Sequence, residues 1–182
     1  MINQFWKSFA ENKISHSMAH YLTTLHRLRE KRGYARVSDV AEELDVKKGS
    51  VSGQIKHLKE KGLVIEDEKK HLQLTELGES FARQVLQNRS VFIALVRDVL
   101  GLSGELAETD ACKIEHLLSR ETSNQLLRLV KLLAADETEA ASVRAKLKDF
   151  EFTCPTLAHC GVCEDECLAE VDPHGGRSEG PA

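Results

Sequence analysis

No proline occurs before Pro155 in this chain of 182 residues. Proline lacks the backbone N–H and its ring clashes with the preceding helical turn, so it is the residue least compatible with a helix interior. So long a stretch without it is typical of a mostly helical body. Hydrophobic spacing points the same way. Ile14, Met18, Tyr21, Leu22, Leu25 and Leu28 recur at helical intervals across 14–32, and Gly33 follows as a stop signal. Ser38 reads as the cap of a short helix through Leu44, with Asp39, Glu42 and Glu43 near its start. A turn at 45–48 leads to another helix over about 49–61, ended by Gly62. Two short alternating runs, 63–66 and 71–74, flank Asp67-Glu68-Lys69-Lys70 and read as a β-hairpin. Thr75 then caps a long helix to Leu100, with Leu77, Phe81, Val85, Phe92, Leu95, Val96 and Val99 as its apolar face. Gly101 ends it. Further helices are expected over 104–118, 122–133 and 136–150.

Helix, helix, turn, helix and hairpin in that order is a winged helix-turn-helix. The second helix of the pair opens with small and polar residues, Gly49, Ser50, Ser52, Gly53 and Gln54. Small residues let a helix N-terminus approach phosphates and base edges. Gln54 can bond adenine in a bidentate manner, and Ser50 and Ser52 can contact several bases. Lys47, Lys48, Lys56, Lys69 and Lys70 fall on the turn, the helix and the hairpin tip, where they would clamp phosphates. Lysines alone also read as a solvated face; their placement on an ordered helix-turn-helix with a hairpin favours double-stranded DNA. Charge supports this division. Residues 1–148 hold 24 Lys/Arg against 21 Asp/Glu, whereas 149–182 hold Arg177 against eight acids. The acidic tail would repel DNA, so the contact belongs to the body.

Cys112, Glu115 and His116 stand at i, i+3 and i+4, one face of a helix. Thiolate, carboxylate and imidazole together suit a borderline transition metal such as Fe(II), Zn(II) or Co(II) and disfavour Mg and Ca. A fourth donor must come from elsewhere, and a buried Cys beside a surface Glu/His pair is the competing reading. His16, His26, His57, His71 and His174 have no evident partners and read as surface residues, with His57 and His71 on the DNA side. The longest apolar run, 91–96, is far short of the ~20 residues of a membrane span. No secretory signal is visible, so the expectation is a cytoplasmic protein without a membrane role. No dinucleotide fingerprint and no C-x-x-C in a βαβ setting is present, which speaks against an enzyme.

The stretches Met18-Ala-His20-Tyr21-Leu22, Gly33-Tyr-Ala-Arg-Val-Ser-Asp39-Val-Ala41, Gly62-Leu63-Val64, Leu74-Thr75-Glu-Leu-Gly78 and Cys112-Lys-Ile-Glu115-His116-Leu-Leu-Ser119 resemble the diphtheria-toxin-repressor/manganese-transport-regulator (DtxR/MntR) family. The resemblance covers 15–134. It implies a homodimeric, metal-dependent transcriptional repressor of metal homeostasis genes, bound to operator DNA. The expected fold is mostly α: a winged helix-turn-helix domain over 1–75, a helical metal-binding and dimerisation domain over 76–150, and a Cys-rich acidic tail over 151–182 that is disordered at its end. The family's primary metal site falls on His20, Cys112, Glu115 and His116. Its ancillary site falls near Arg89 and Ile93, which cannot coordinate metal, leaving Glu108 and Asp110. One site is therefore expected in the body, for a divalent transition metal, Fe2+ first, with Zn2+ or Mn2+ as alternatives.

The tail carries Cys154, Cys160, Cys163 and Cys167 in the spacing C-x5-C-x2-C-x3-C. Structural zinc commonly uses two separated C-x-x-C knuckles. A compact run with Pro155 beside a Cys suits a [4Fe–4S] cluster better, with zinc, His159 substituting as a ligand, as the alternative and redox thiols or an empty site after it. The leading expectation is an iron-responsive repressor with this tail as a second input. A zinc-responsive regulator with a structural zinc tail is the runner-up, and a Cys-based redox or electron-transfer protein comes behind both.

Overall fold

The computed structural model describes residues 14–149. Among these the elements run α1 His16–Arg32, α2 Val37–Glu43, α3 Lys48–Glu60, β1 Val64–Glu66, β2 Leu72–Leu74, α4 Glu76–Ala94, a π-helical turn Leu95–Val99, α5 Gly104–Ile114, α6 Arg120–Leu133 and α7 Thr138–Asp149. The fold is mostly α with one two-stranded antiparallel sheet, in the order of a winged helix-turn-helix followed by a helical half. By contacts the chain divides into a unit ending at Arg144 and a second beginning at Ala145, of which only the end of α7 is described. No described helix is long and apolar enough to cross a membrane.

Each boundary has a local cause. Ser15 Oγ accepts from the Met18 N–H at 3.3 Å to open α1. Gly33 closes it at φ 77°, its N–H donating to Arg29 O at 2.8 Å, a left-handed position that a side chain would strain. Helix α2 begins one residue before the expected cap. Arg36 occupies the cap position, and its backbone N–H donates to Asp39 Oδ2 at 2.8 Å; Ser38 lies inside the helix. The carboxylate three residues on supplies the capping bond that the hydroxyl was expected to supply. The hairpin pairs Val64 with Leu74 and Glu66 with Leu72. Its tip is tied by Asp67 Oδ1, which accepts from the N–H groups of Lys69 (2.9 Å) and His71 (2.8 Å).

The first half packs around α1. Leu22, Leu25 and Leu28 of α1 are fully buried with Val40 of α2, Val51 and Leu58 of α3, and Val64 and Leu72 of the hairpin. Each such aliphatic side chain contributes about 1.5–3 kcal/mol relative to exposure. Ala82 and Val85 of α4 join the same core, so the long helix is anchored in the winged-helix half before it enters the second. The expected apolar face of α4 holds from Phe81 onward, but Leu77 is exposed. It sits in the first turn, where α4 faces the hairpin end with Gly78 instead. Helix α5 ends at Ile114, four residues short of the expected 118, and α6 starts at Arg120 behind the Ser119 cap.

The junction of hairpin and α4 is the tightest point of this half. Thr75 Oγ1 accepts from the Gly78 N–H at 3.1 Å and donates to Gly62 O at 2.8 Å, while the Thr75 N–H donates to Leu63 O at 3.1 Å. A Cβ on Gly78 would overlap the Leu63 carbonyl oxygen and lie 3.0 Å from its carbonyl carbon. Neither backbone can yield. Gly78→Ala is therefore expected to destabilise the protein by at least about 2 kcal/mol in urea titrations. Gly53→Ala, where a Cβ meets nothing within 4 Å, should stabilise it by up to about 1 kcal/mol.

Candidate functional site

Two elements distant in sequence bring donor atoms together. From α1, His16 and His20 lie one turn apart, their Nε2 atoms 3.1 Å from one another. From the last turn of α5, Cys112 places its Sγ 3.4 Å from His20 Nε2 and 3.9 Å from His16 Nε2. One donor atom from each of His16, His20 and Cys112 fits within a mutual 4.8 Å. His116 follows in the turn after α5, its ring centroid 5.2 Å from that of His16. Its Nδ1 is buried and has no hydrogen-bond partner. A thiol and two imidazoles within reach of one ion, with a third imidazole against His16, are a donor set that fits a d-block cation. Burial first, then the neighbouring His16, pushes the His20 and His116 imidazoles below the usual histidine range, which keeps both in the neutral, ligating form.

Glu115 sits differently. It is 3% exposed, and its Oε2 accepts from Arg89 Nη1 of α4 at 3.0 Å. Arg89 pairs with Glu108 of α5 through its other terminal nitrogen. Burial opposes the Arg89 charge, but hydrogen bonding and attraction to Glu115, with Glu108 beside it, outweigh burial and raise its pKa. Next to Arg89, the buried Asn88 donates through Nδ2 to Glu115 O (2.7 Å) and Leu118 O (3.1 Å), and its Oδ1 accepts from Gln84 at 2.7 Å. Asn88 thus bonds two carbonyls of the turn that follows α5, and Arg89 holds the carboxylate of the same turn. The turn bearing Glu115 and His116 is tied to α4 by Asn88 and Arg89, and to α5 by the Glu115 N–H, which donates to Ala111 O at 2.9 Å.

The structure thus brings His20 and Cys112 into contact, sets His116 beside them and aims Glu115 at Arg89. His16, read from the sequence as a surface residue without partners, joins the group. Its i, i+4 relation to His20 was the signal that could have found it. Glu108 is paired with Arg89, and Asp110 is 2.9 Å from Lys113 Nζ. Cys154, Cys160, Cys163 and Cys167 lie outside the described residues. On the other candidate surface, α3 buries Val51, Ile55 and Leu58 and exposes Lys47, Lys48, Ser50, Ser52 and Lys56 on and beside it, with Gln54 half-buried. Ser52 Oγ donates to Lys48 O at 3.0 Å, which leaves its lone pairs free to accept. Lys69 and Lys70 are exposed at the hairpin tip, and Lys70 Nζ is 3.4 Å from Glu66.

Residues 13–72 match the family described as iron dependent repressor, N-terminal DNA binding domain, and residues 75–140 match iron dependent repressor, metal binding and dimerisation domain. The HTH-type transcriptional regulator MntR of Bacillus velezensis is 29% identical over 135 residues, 74% of this chain and 94% of that protein. The iron-dependent repressor IdeR of Mycobacterium bovis is 29% identical over 119 residues, 65% of this chain and 52% of that protein, so the chain spans about half of this second relative. Among solved structures, T. acidophilum IdeR superposes with a TM-score of 0.52 at 26% identity, over 61% of this chain and 52% of that one.

Asn88 reaches no candidate donor atom, so its role in the site can be isolated. Asn88→Ala strands the buried Glu115 carbonyl at about 1–3 kcal/mol and the half-buried Leu118 carbonyl at less, and a total loss of about 2–4 kcal/mol in denaturant unfolding is expected. Unchanged stability would show that these carbonyls find water instead.

Proposed function

The chain belongs to the iron-dependent repressor (DtxR/MntR) family of metal-dependent transcriptional regulators, and from this we propose that it is a homodimeric repressor whose grip on operator DNA depends on a divalent d-block cation. The observation that carries the reading is the 3.4 Å approach of His20, on the core helix of the winged helix, to Cys112, in the matched metal-binding half. A cation bound there ties the two halves. Its donors are drawn from His20 and Cys112, which meet there with His16, and from His116 beside His16, while Glu115 is bonded to Arg89. Iron, manganese and zinc are the ions to compare, iron being the one in the family's description.

The mechanism is geometric. Helix α3 presents Ser50, Ser52 and Gln54 to base edges, and Lys47, Lys48, Lys56, Lys69 and Lys70 to phosphates. Two copies related by a twofold axis read two half-sites, whose separation DNA fixes to about 34–36 Å or multiples of it. The half-exposed Leu102, Leu106, Leu117 and Leu132 of the second half supply apolar surface for a partner copy. A cation that fixes α1 against α5 sets the distance between the two α3 helices, and metal binding becomes a population shift toward the DNA-competent dimer. The acidic tail is a candidate second input, a [4Fe–4S] cluster on Cys154, Cys160, Cys163 and Cys167 or a zinc site in its place.

Operator affinity measured by fluorescence anisotropy, with and without added Fe(II), Mn(II) or Zn(II), tests the central reading. At least one ion should tighten binding of the parent, and Cys112→Ala should abolish that response while the fold persists. Gln54→Ala should relax discrimination at one base pair by about 1–3 kcal/mol. Metal-independent operator binding by the parent would overturn the proposal.

The tail is tested separately by the visible spectrum of protein made and kept without oxygen. Broad absorption near about 400 nm that is lost in a Cys160→Ser/Cys163→Ser variant is expected for the cluster. A colourless protein with stoichiometric zinc would replace it by the zinc site.

A further inference from the structure

The donor geometry around His16 narrows the ion beyond the family reading. Bonds of about 2.0–2.1 Å to nitrogen and about 2.3 Å to sulfur in a tetrahedral site place nitrogens about 3.3 Å apart, and nitrogen and sulfur about 3.6 Å apart. Here the corresponding separations are 3.1 Å for His16–His20, and 3.4 and 3.9 Å for His20 and His16 to Cys112. Three side chains already stand at the vertices of such a site. Glu115 and His116 lie outside this group of three, and which of them can turn in as a fourth donor depends on their surroundings.

Glu115 is engaged. Its carboxylate is buried and bonded at 3.0 Å to Arg89, a group that stays charged at any accessible pH. Recruiting it to an ion would leave the guanidinium, itself half-buried, with the exposed Glu108 as its carboxylate partner. Removing one partner of a buried ion pair is strongly unfavourable because it leaves the other charge uncompensated. His116 has no such tie. Its ring lies against His16, and its buried Nδ1 lacks any partner. Turning this ring toward the ion would break no ion pair.

We infer that His16, His20, Cys112 and His116 form one closed, four-coordinate site of three imidazoles and a thiolate for a zinc-class ion, with Glu115 held outside it by Arg89. The inference rests on the proposed reading of this region as the regulatory metal site and specifies its ligand set and metal class. Imidazole and thiolate favour Zn(II) and its spectroscopic substitute Co(II), whereas Mn(II) favours carboxylate, carbonyl and water oxygens. Four protein ligands leave no open position, so the ion acts as a fastener between α1 and the end of α5 and not as a catalyst. His16 extends the fastening to the first turn of α1. Arg89 takes the role of a positioning residue: it touches no ion and decides which carboxylate is unavailable.

The test uses the full chain with Cys154, Cys160, Cys163 and Cys167 replaced by Ser, so that the tail contributes no thiolate. Titration with Co(II) should give intense visible d–d bands and a thiolate-to-cobalt charge-transfer band in the near ultraviolet, at one ion per chain. Weak six-coordinate bands would overturn the inference without recourse to any variant. Zn(II) affinity, read by competition with a chromogenic chelator, should fall more than about 100-fold in His16→Ala, beyond the roughly 10–100-fold that loss of an outer-shell partner brings. Glu115→Gln, which keeps a hydrogen bond to Arg89, should change it less than about 10-fold, within the range of a group that binds no ion. Because Glu115 is buried, an Arg89→Gln/Glu115→Gln pair, neutral on both sides, repeats the measurement if the single variant unfolds. Comparable losses in the His16 and Glu115 variants, a loss confined to Glu115, or no loss in His16→Ala would each overturn it. Operator binding is measured in parallel on the same proteins. Operator binding indifferent to metal would overturn the repressor reading while leaving the coordination result to be judged on the spectra.

Discussion

Glu115 is a carboxylate that the fold has buried, and Arg89 is the reason it can stay there. An unpaired ion at that depth would cost several kcal/mol, so the 3.0 Å bond between them is a condition of the second half's packing. The same bond fixes the turn after α5 to α4. Asn88, one residue before Arg89, adds two hydrogen bonds to carbonyls of that turn. Adjacent residues on one helix thereby position His116 and, through the end of α5, Cys112. Everything the candidate site can do depends on this pair holding the turn at one height along α4.

The other side of the site is α1, and α1 is also the centre of the winged-helix core. Its apolar side packs Leu22, Leu25 and Leu28 against α2, α3 and the hairpin, while His16 and His20 at its start face Cys112. One rigid helix of 17 residues therefore carries both the core of the DNA-binding half and half of the donor set. A close-packed core moves as a body. A small change in how α1 stands against α5 must then appear undiminished at α3. This gives the proposed coupling a physical route that needs no flexible linker.

Much of this was legible in the sequence, for reasons that can be named. Gly33, Thr75 and Gly101 are local signals, and the structure uses them where they were read: Gly33 and Gly101 at positive φ, Thr75 as the cap of α4. The hairpin followed from alternation, and the exposed face of α3 from the spacing of Val51, Ile55 and Leu58. What was missed depended on tertiary partners. Arg36 displaced Ser38 as cap because Asp39 reached back to the Arg36 N–H. Helix α5 stopped at Ile114, and the turn after it is tied to another helix, where Asn88 bonds the carbonyls of Glu115 and Leu118. His16 looked solitary because its neighbour Cys112 is 96 residues away, and locally only its i, i+4 spacing to His20 hinted at a shared site. Likewise Glu115 carries the residue type of a ligand, and only the position of Arg89 shows what its charge is matched to.

Linkage adds a constraint that the site's layout makes concrete. On the proposed reading a cation raises operator affinity by favouring one angle between α1 and α5. The free-energy cycle then requires operator DNA to raise cation affinity by the same factor, since both bias the same two states. Couplings of this kind commonly amount to about 1–3 kcal/mol, or roughly 5–150-fold. The donors are well placed to express it. His16 and His20 ride on α1 while Cys112 and His116 ride on α5 and the turn held at Asn88 and Arg89, beyond the Ala82 and Val85 of α4 that join the winged-helix core, so any change of angle between α1 and α5 alters the distance between the pairs and not within them. The 3.1 Å separation of the two α1 imidazoles is set by one helix turn and should persist in either state, whereas the 3.4 and 3.9 Å separations to Cys112 carry the conformational information. A donor set split evenly across the moving boundary converts an angle into an affinity, which is what a metal-dependent regulator of this architecture needs.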